Sequence, residues 1–102
     1  MFEDLMGGMK EQQKAMRLKL AQIIIEEQAG DGAVKVAANA NREIVNITID
    51  RTALDEDDHE QLEDFLVIAI NKALEKAAQK ETEETQKMIN DLLPPGFGDL
   101  MG

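Results

Sequence analysis

Residues 57–93, DDHEQLEDFLVIAINKALEKAAQKETEETQKMINDLL, decide the fold, because no glycine or proline interrupts them before Pro94. A helix of about 37 residues at roughly 1.5 Å each would span about 55 Å. A compact domain of this chain's size has a radius of gyration of only about 13 Å. Such a helix cannot lie wholly on its own domain, so its second half must project. The residue pattern agrees. Leu62, Phe65, Leu66, Ile68, Ala69, Ile70, Ala73, Leu74, Ala77 and Ala78 make the first half apolar on most sides, whereas residues 79–87 hold no large apolar side chain. Met88, Ile89, Leu92 and Leu93 restore a hydrophobic edge before Pro94-Pro95-Gly96 ends the helix. Asp57 followed by Glu60 reads as a capping box, and the acids around it suit the partial positive charge of a helix start. Residues 94–102 are read as a flexible tail.

Ahead of this helix the chain reads as β. Residues 23–29, 33–39 and 43–49 are three extended segments: Val34, Val36 and Ala38 share one face of the second, and Val45, Ile47 and Ile49 one face of the third. Gly30-Asp31-Gly32 is the first turn and Asn39-Ala40-Asn41-Arg42 the second, with Asn41 the residue best suited to a left-handed conformation. A three-stranded antiparallel meander over residues 23–49 is the economical assembly. Residues 9–22 read as a first helix, in which Met6, Met9, Gln13, Met16, Leu20 and Ile23 recur at steps of three and four, the seam of a helix packing on a helix. Gly7-Gly8 predicts a frayed lead-in before it. The whole is a single α+β domain over residues 1–102, in the order α-β-β-β-α.

Composition narrows the chemistry. The 102 residues include one histidine and no cysteine, tyrosine or tryptophan, and the sequence has no serine. Disulfides and thiol chemistry are excluded, and the only candidate hydroxyl nucleophiles are Thr48, Thr52, Thr82 and Thr85, none with a base beside it in sequence. His59 lies in an acidic helix start and reads as solvated. Asp55, Asp57 and His59 lack the glycine and the closing glutamate of a calcium-binding loop. No catalytic residue, metal, cofactor or small-molecule ligand is expected, and the chain is read as a non-enzyme. The apolar run from Phe65 to Ile70 is too short to cross a bilayer and no leader-like segment is visible, so a cytoplasmic protein is expected.

The net charge is −10, which at face value opposes a nucleic-acid partner. Its distribution weakens that objection, because residues 55–68 hold seven acids and no base, leaving the remainder close to neutral. Lys72, Lys76 and Lys80 share one face of the long helix at spacings of four. Lys10, Lys14 and Arg17 make the same stripe on the first, with Lys19 nearby. Two such stripes on antiparallel helices would cradle a phosphate backbone. Glu11 and Glu75 interleave with them, as on an ordinary solvated face. No helix-turn-helix, zinc finger or aromatic ladder is present, so contact with base edges is not expected. Phe2-Glu3-Asp4-Leu5-Met6-Gly7 and Phe97-Gly98-Asp99-Leu100-Met101-Gly102 match at five of six positions. They read as paired apolar tags that would support higher-order association.

Several segments resemble one known family. Gly32-Ala33-Val34-Lys35-Val36 looks like the Gly-Leu-Val-Lys-Val strand entry of the YbaB/EbfC family, and Ile47-Thr48-Ile49-Asp50 like its hydrophobic-x-Ile-Asp strand end. Leu62-Glu63-Asp64-Phe65-Leu66, Ala69-Ile70-Asn71-Lys72-Ala73 and Leu93-Pro94-Pro95-Gly96-Phe97 are similar to later motifs in the same order. The resemblance implies a tweezer-like homodimer with projecting helical arms. It also implies double-stranded DNA as partner, and a role in nucleoid organisation and gene regulation. By that resemblance the DNA contacts are placed on Lys10, Lys14, Arg17, Lys19, Lys72, Lys76, Lys80 and Lys87, which are arm positions rather than motif residues. Two departures stand out: Ala40 and Arg42 occupy hairpin positions where the family often has glycine, and Glu81, Glu83 and Glu84 interrupt the second stripe. The competing reading is a dimeric protein-interaction module that uses the acidic face and Met-rich arms.

Overall fold

A computed structural model describes residues 2–92, with side chains from residue 4 onward. The chain runs α1 (Phe2–Ala21), β1 (Ile24–Ala29), β2 (Val34–Asn39), β3 (Glu43–Ile49), a single 3-10 turn (Arg51–Ala53) and α2 (His59–Leu92). The strands form one antiparallel sheet in the order β1-β2-β3. Val34 stands opposite Ala29 and Ile49, and Val36 opposite Glu27 and Ile47. The register slips between Ala37 and Ala38, which pair with Asn46 and Ile44, so Val45 is left without an opposite number.

One face of this sheet carries α2. Ala69, Ala73 and Ala77, four residues apart and fully buried, lie on Val34, Val36, Ala38 and Ala29, with Ile25, Leu62, Phe65, Leu66 and Ile70 packed around them. Four-residue spacing puts the alanines in one row along the helix. Because they end at Cβ, the helix backbone approaches the strands closely. Beyond Ala77 the helix outruns the sheet. The principal extents are 63 × 33 × 17 Å and the radius of gyration is 19.1 Å, well above the roughly 13 Å of a compact chain of this length. The projecting arm inferred from helix length is therefore present.

Several boundaries differ from the sequence reading, each for a local reason. Helix α1 begins at Phe2 and passes through Gly7-Gly8, so there is no frayed lead-in over residues 2–8. Two glycines cost about 1 kcal/mol each relative to alanine in a helix interior, but Leu5, Met6, Met9 and Lys10 around them are good helix formers. The cap of α2 is Asp58, whose Oδ1 accepts from the Gln61 backbone N–H at 3.0 Å, and not Asp57. Gln61 Oε1 in turn accepts from the Asp55 backbone N–H. In the second turn Arg42, not Asn41, takes the left-handed conformation, with φ 63°. Asn41 is held elsewhere: its side-chain amide donates to the Arg17 carbonyl at 2.8 Å and its backbone N–H to Asn39 Oδ1. Residues 93–102, including the tail and the second apolar tag, lie outside the described residues.

Gly30, with φ +66°, closes the first turn directly beneath Phe65: a Cβ at this position would stand 2.5 Å from the ring. Gly30→Ala combines a left-handed backbone with an overpacked contact, and each such defect costs about 1–3 kcal/mol. We expect urea denaturation to show a loss of about 2–5 kcal/mol, far beyond the effect of the same change at the open position Gly7.

Candidate nucleic-acid interface

The basic residues singled out in the sequence divide into three groups in space. Lys10, Lys14 and Arg17 lie on one stripe of α1, all exposed, and none of them takes part in an ion pair among the described residues. Lys72 and Lys76 lie on the part of α2 that covers the sheet, where Lys76 is ion-paired with Glu27 of β1. Lys19, Lys80 and Lys87 form the third group. Their ammonium nitrogens stand 3.2, 4.0 and 3.4 Å from the carboxylate of Glu84.

This grouping follows from how the two helices run. Lys19 meets Glu84, whereas Gln12 lies near Asp91 and Leu92, so α1 is antiparallel to the distal half of α2. Lys10 and Lys14 are therefore toward the arm's far end, Arg17 is nearer its base beside Asn41 and Glu81, and Lys72 and Lys76 are back over the core. The two stripes do not face one another along their length. Spacing along a helix fixes which residues share a face, but not which turn of a neighbouring helix they meet. The base of α1 is anchored to the hairpin, where the Ala40 backbone N–H donates to the carbonyls of Leu20 and Ile23 at 3.1 Å. The Met seam closes only at this end. Leu20 is buried and Met16 half-buried, while Met6 and Met9 stay exposed. Between α1 and the distal half of α2 runs a cleft of about 450 Å³ lined by Met9, Met16, Leu20 and Met88, together with Arg17 and Glu81.

Electrostatically the arm is self-compensated. Lys80 also pairs with Glu83 at 3.5 Å and Arg42 with Glu81 at 3.6 Å. Exposed pairs of this kind contribute about 0–1 kcal/mol each. Glu84 differs in that its side chain is only 8% exposed while its three partners remain open to solvent. The Lys19 ammonium beside it holds its carboxyl below the ordinary glutamate range, against the opposing effect of burial. In the sequence Glu84 stands only as an interruption of the stripe. The visible signal was its spacing, four residues after Lys80 and three before Lys87. Among the described residues no cluster of three or more His, Asp or Glu side chains is placed to hold a metal ion. No described helix is long and apolar enough to cross a membrane.

Comparison with known proteins adds an independent line. The model of the YbaB/EbfC DNA-binding family matches residues 1–92. A nucleoid-associated protein of Moorella thermoacetica is 37% identical over 102 residues, covering 90% of this chain and 98% of the relative. One from Pelotomaculum thermopropionicum is 43% identical over 90 residues, covering 86% of each. The crystal structure of the uncharacterized protein HP0035 from Helicobacter pylori superposes with a TM-score of 0.71 at 25% identity, covering 86% of this chain and 92% of that one.

A folded-state pKa below the unfolded value means that the group stabilises the fold above the unfolded pKa. That contribution is lost as pH falls through the folded one. Thermal unfolding of Glu84→Gln should therefore show a lower midpoint than the parent chain at pH 7. The gap should begin to narrow as pH falls below the ordinary glutamate value of about 4.3 and should close only below the depressed folded-state value.

Proposed function

Because this chain belongs to the YbaB/EbfC DNA-binding family, we infer that it acts as a nucleoid-associated protein that binds duplex DNA through its projecting helices. The observation that supports the arm as the contact surface is the α1 stripe of Lys10, Lys14 and Arg17. These three cations lie at one helix face, are exposed, and take part in no ion pair among the described residues. Phosphate recognition needs positive charge at regular spacing and releases counterions from the duplex, which makes binding steeply salt-dependent. With no base-reading element, the arm would track backbone and groove shape, and location at the nucleoid follows from that partner. Lys19, Lys80 and Lys87 would add a second contact around Glu84, with Lys72 and Lys76 furthest from the α1 stripe. The chemistry is that of a binding protein and not of an enzyme.

The protomer also needs a second copy. Among the described residues only Leu20, Val34 and Val36 are buried as large apolar side chains, while thirteen others are exposed. A chain of this size with so small a core depends on further burial. The edge strand β3 exposes Ile44, Ile47 and Ile49 at about 40% each on the side that α2 leaves open. Val67, Leu74 and Glu81 recur at seven-residue spacing, and the Arg42–Glu81 pair places their flank of α2 beside β3. This strip is the proposed homodimer face, and two copies joined there would carry two arms. The paired terminal tags would serve association of dimers along DNA.

Fluorescence anisotropy of a labelled duplex at about 50 and 200 mM salt tests the DNA contact. Lys10→Glu, Lys14→Glu and Arg17→Glu together should remove binding, and single changes should lower the salt slope by about 0.9 each. Undiminished binding by the triple variant would clear α1 of the role. For the dimer, Ile47→Asp should convert the sedimenting species to a monomer with loss of stability. An unaltered sedimentation coefficient would move the interface elsewhere.

A further inference from the structure

Glu84 is a buried acid for which the DNA-binding reading has no use. Its carboxylate is reached by Lys19 from α1 and by Lys80 and Lys87 from α2, the nearest at 3.2 Å, and the three lysine side chains are 60%, 37% and 65% exposed. Lys80 is shared further with Glu83, which is exposed. One carboxylate needs at most one cation to balance it. Three ammonium groups converging on it from two helices form instead the surroundings that a backbone phosphate oxygen would find at a nucleic-acid contact.

We propose that Glu84 is a built-in competitor for DNA phosphate: it gathers Lys19, Lys80 and Lys87 into one cluster and, by occupying that cluster, sets how tightly the arm binds. This rests on the arm being the DNA contact. The carboxylate is only 8% exposed and sits among the three ammonium groups, so an incoming phosphate meets its negative charge at the centre of the cluster. The lysines have long flexible stems and partly exposed heads, so they turn outward to a phosphate only by loosening their hold on Glu84. For Lys19 that hold is also a tie between α1 and α2, so tight DNA contact at this point is coupled to freedom between the two helices of the arm. The stripe of Lys10, Lys14 and Arg17 is in no ion pair among the described residues and makes first contact.

The test compares three neutralisations of the same size in the full chain, with labelled duplex DNA at about 50 and 200 mM salt. Glu84→Gln removes the competitor, and Glu83→Gln removes the exposed partial one. Glu75→Gln removes an exposed acid of the same helix that is in no ion pair among the described residues. Glu84→Gln should bind roughly three- to tenfold more tightly than Glu75→Gln at low salt, with a slope steeper by about one per protomer. Glu83→Gln should fall between them. Because Glu83 is exposed, its comparison with Glu75→Gln decides the matter if Glu84→Gln does not fold, as judged by a circular-dichroism melt. Equal gains at all three positions, or weaker binding by Glu84→Gln, overturn the competitor. Failure of the parent chain and every variant to bind at low salt overturns the DNA reading itself, and this inference with it.

Discussion

The contact on which the rest of the molecule depends is the seating of three alanines, Ala69, Ala73 and Ala77, on Val34, Val36 and Ala38. Small side chains on one row of a helix bring its backbone close to the sheet, and a close helix covers little width. It lies over β1 and β2, leaving the apolar side chains of β3 open. Its course along the strands also puts its second half past the edge of the sheet. The open strand and the overhanging arm are thus two results of one packing decision: the first is the face proposed to meet a second copy, and the second the surface proposed to meet DNA.

Much of this architecture was legible in the sequence because it rests on local chemistry. A run without glycine or proline fixed the length of α2, and alternation along residues 34–38 fixed the buried face of β2. The turn at Gly30 followed from residue type. What was not legible depended on contacts between distant segments. Asn41 is intrinsically better suited than Arg42 to a left-handed backbone, but its side chain is engaged by the Arg17 carbonyl on α1, and Arg42 takes the strained position instead. Asp57 and Asp58 are equivalent as caps by composition, and only the three-dimensional path of the loop selects Asp58.

The candidate interface was half legible for the same reason. Helical spacing put Lys10, Lys14 and Arg17 on one face, but it also joined Lys80 to Lys72 and Lys76, whereas Lys80 meets Glu84 beside Lys19 and Lys87. The offset between α1 and α2 is set by the hairpin anchor at Ala40, which no periodicity reveals. That offset joins Lys19 to Lys80 and Lys87 and leaves Lys72 and Lys76 over the core. A net charge of −10 is reconciled with a polyanionic partner by position: the acids concentrated in residues 55–68 precede and open α2, at the end opposite the arm, and Debye screening over about 8 Å at physiological salt separates the two regions.

Core and arm belong to one unbroken helix, α2, and this has a consequence for how the family member can change over time. Starting a helix is the costly step, whereas adding turns to an existing one is nearly neutral. The half of α2 on the sheet provides the start, so the distal turns stay helical with little buried area of their own beyond the strip around Glu84. Substitutions at the exposed positions of those turns alter surface charge at little risk to folding. Affinity for the partner is therefore open to gradual adjustment by drift and selection, in small steps and in either direction, while the sheet-bound half remains under the stricter demands of close packing.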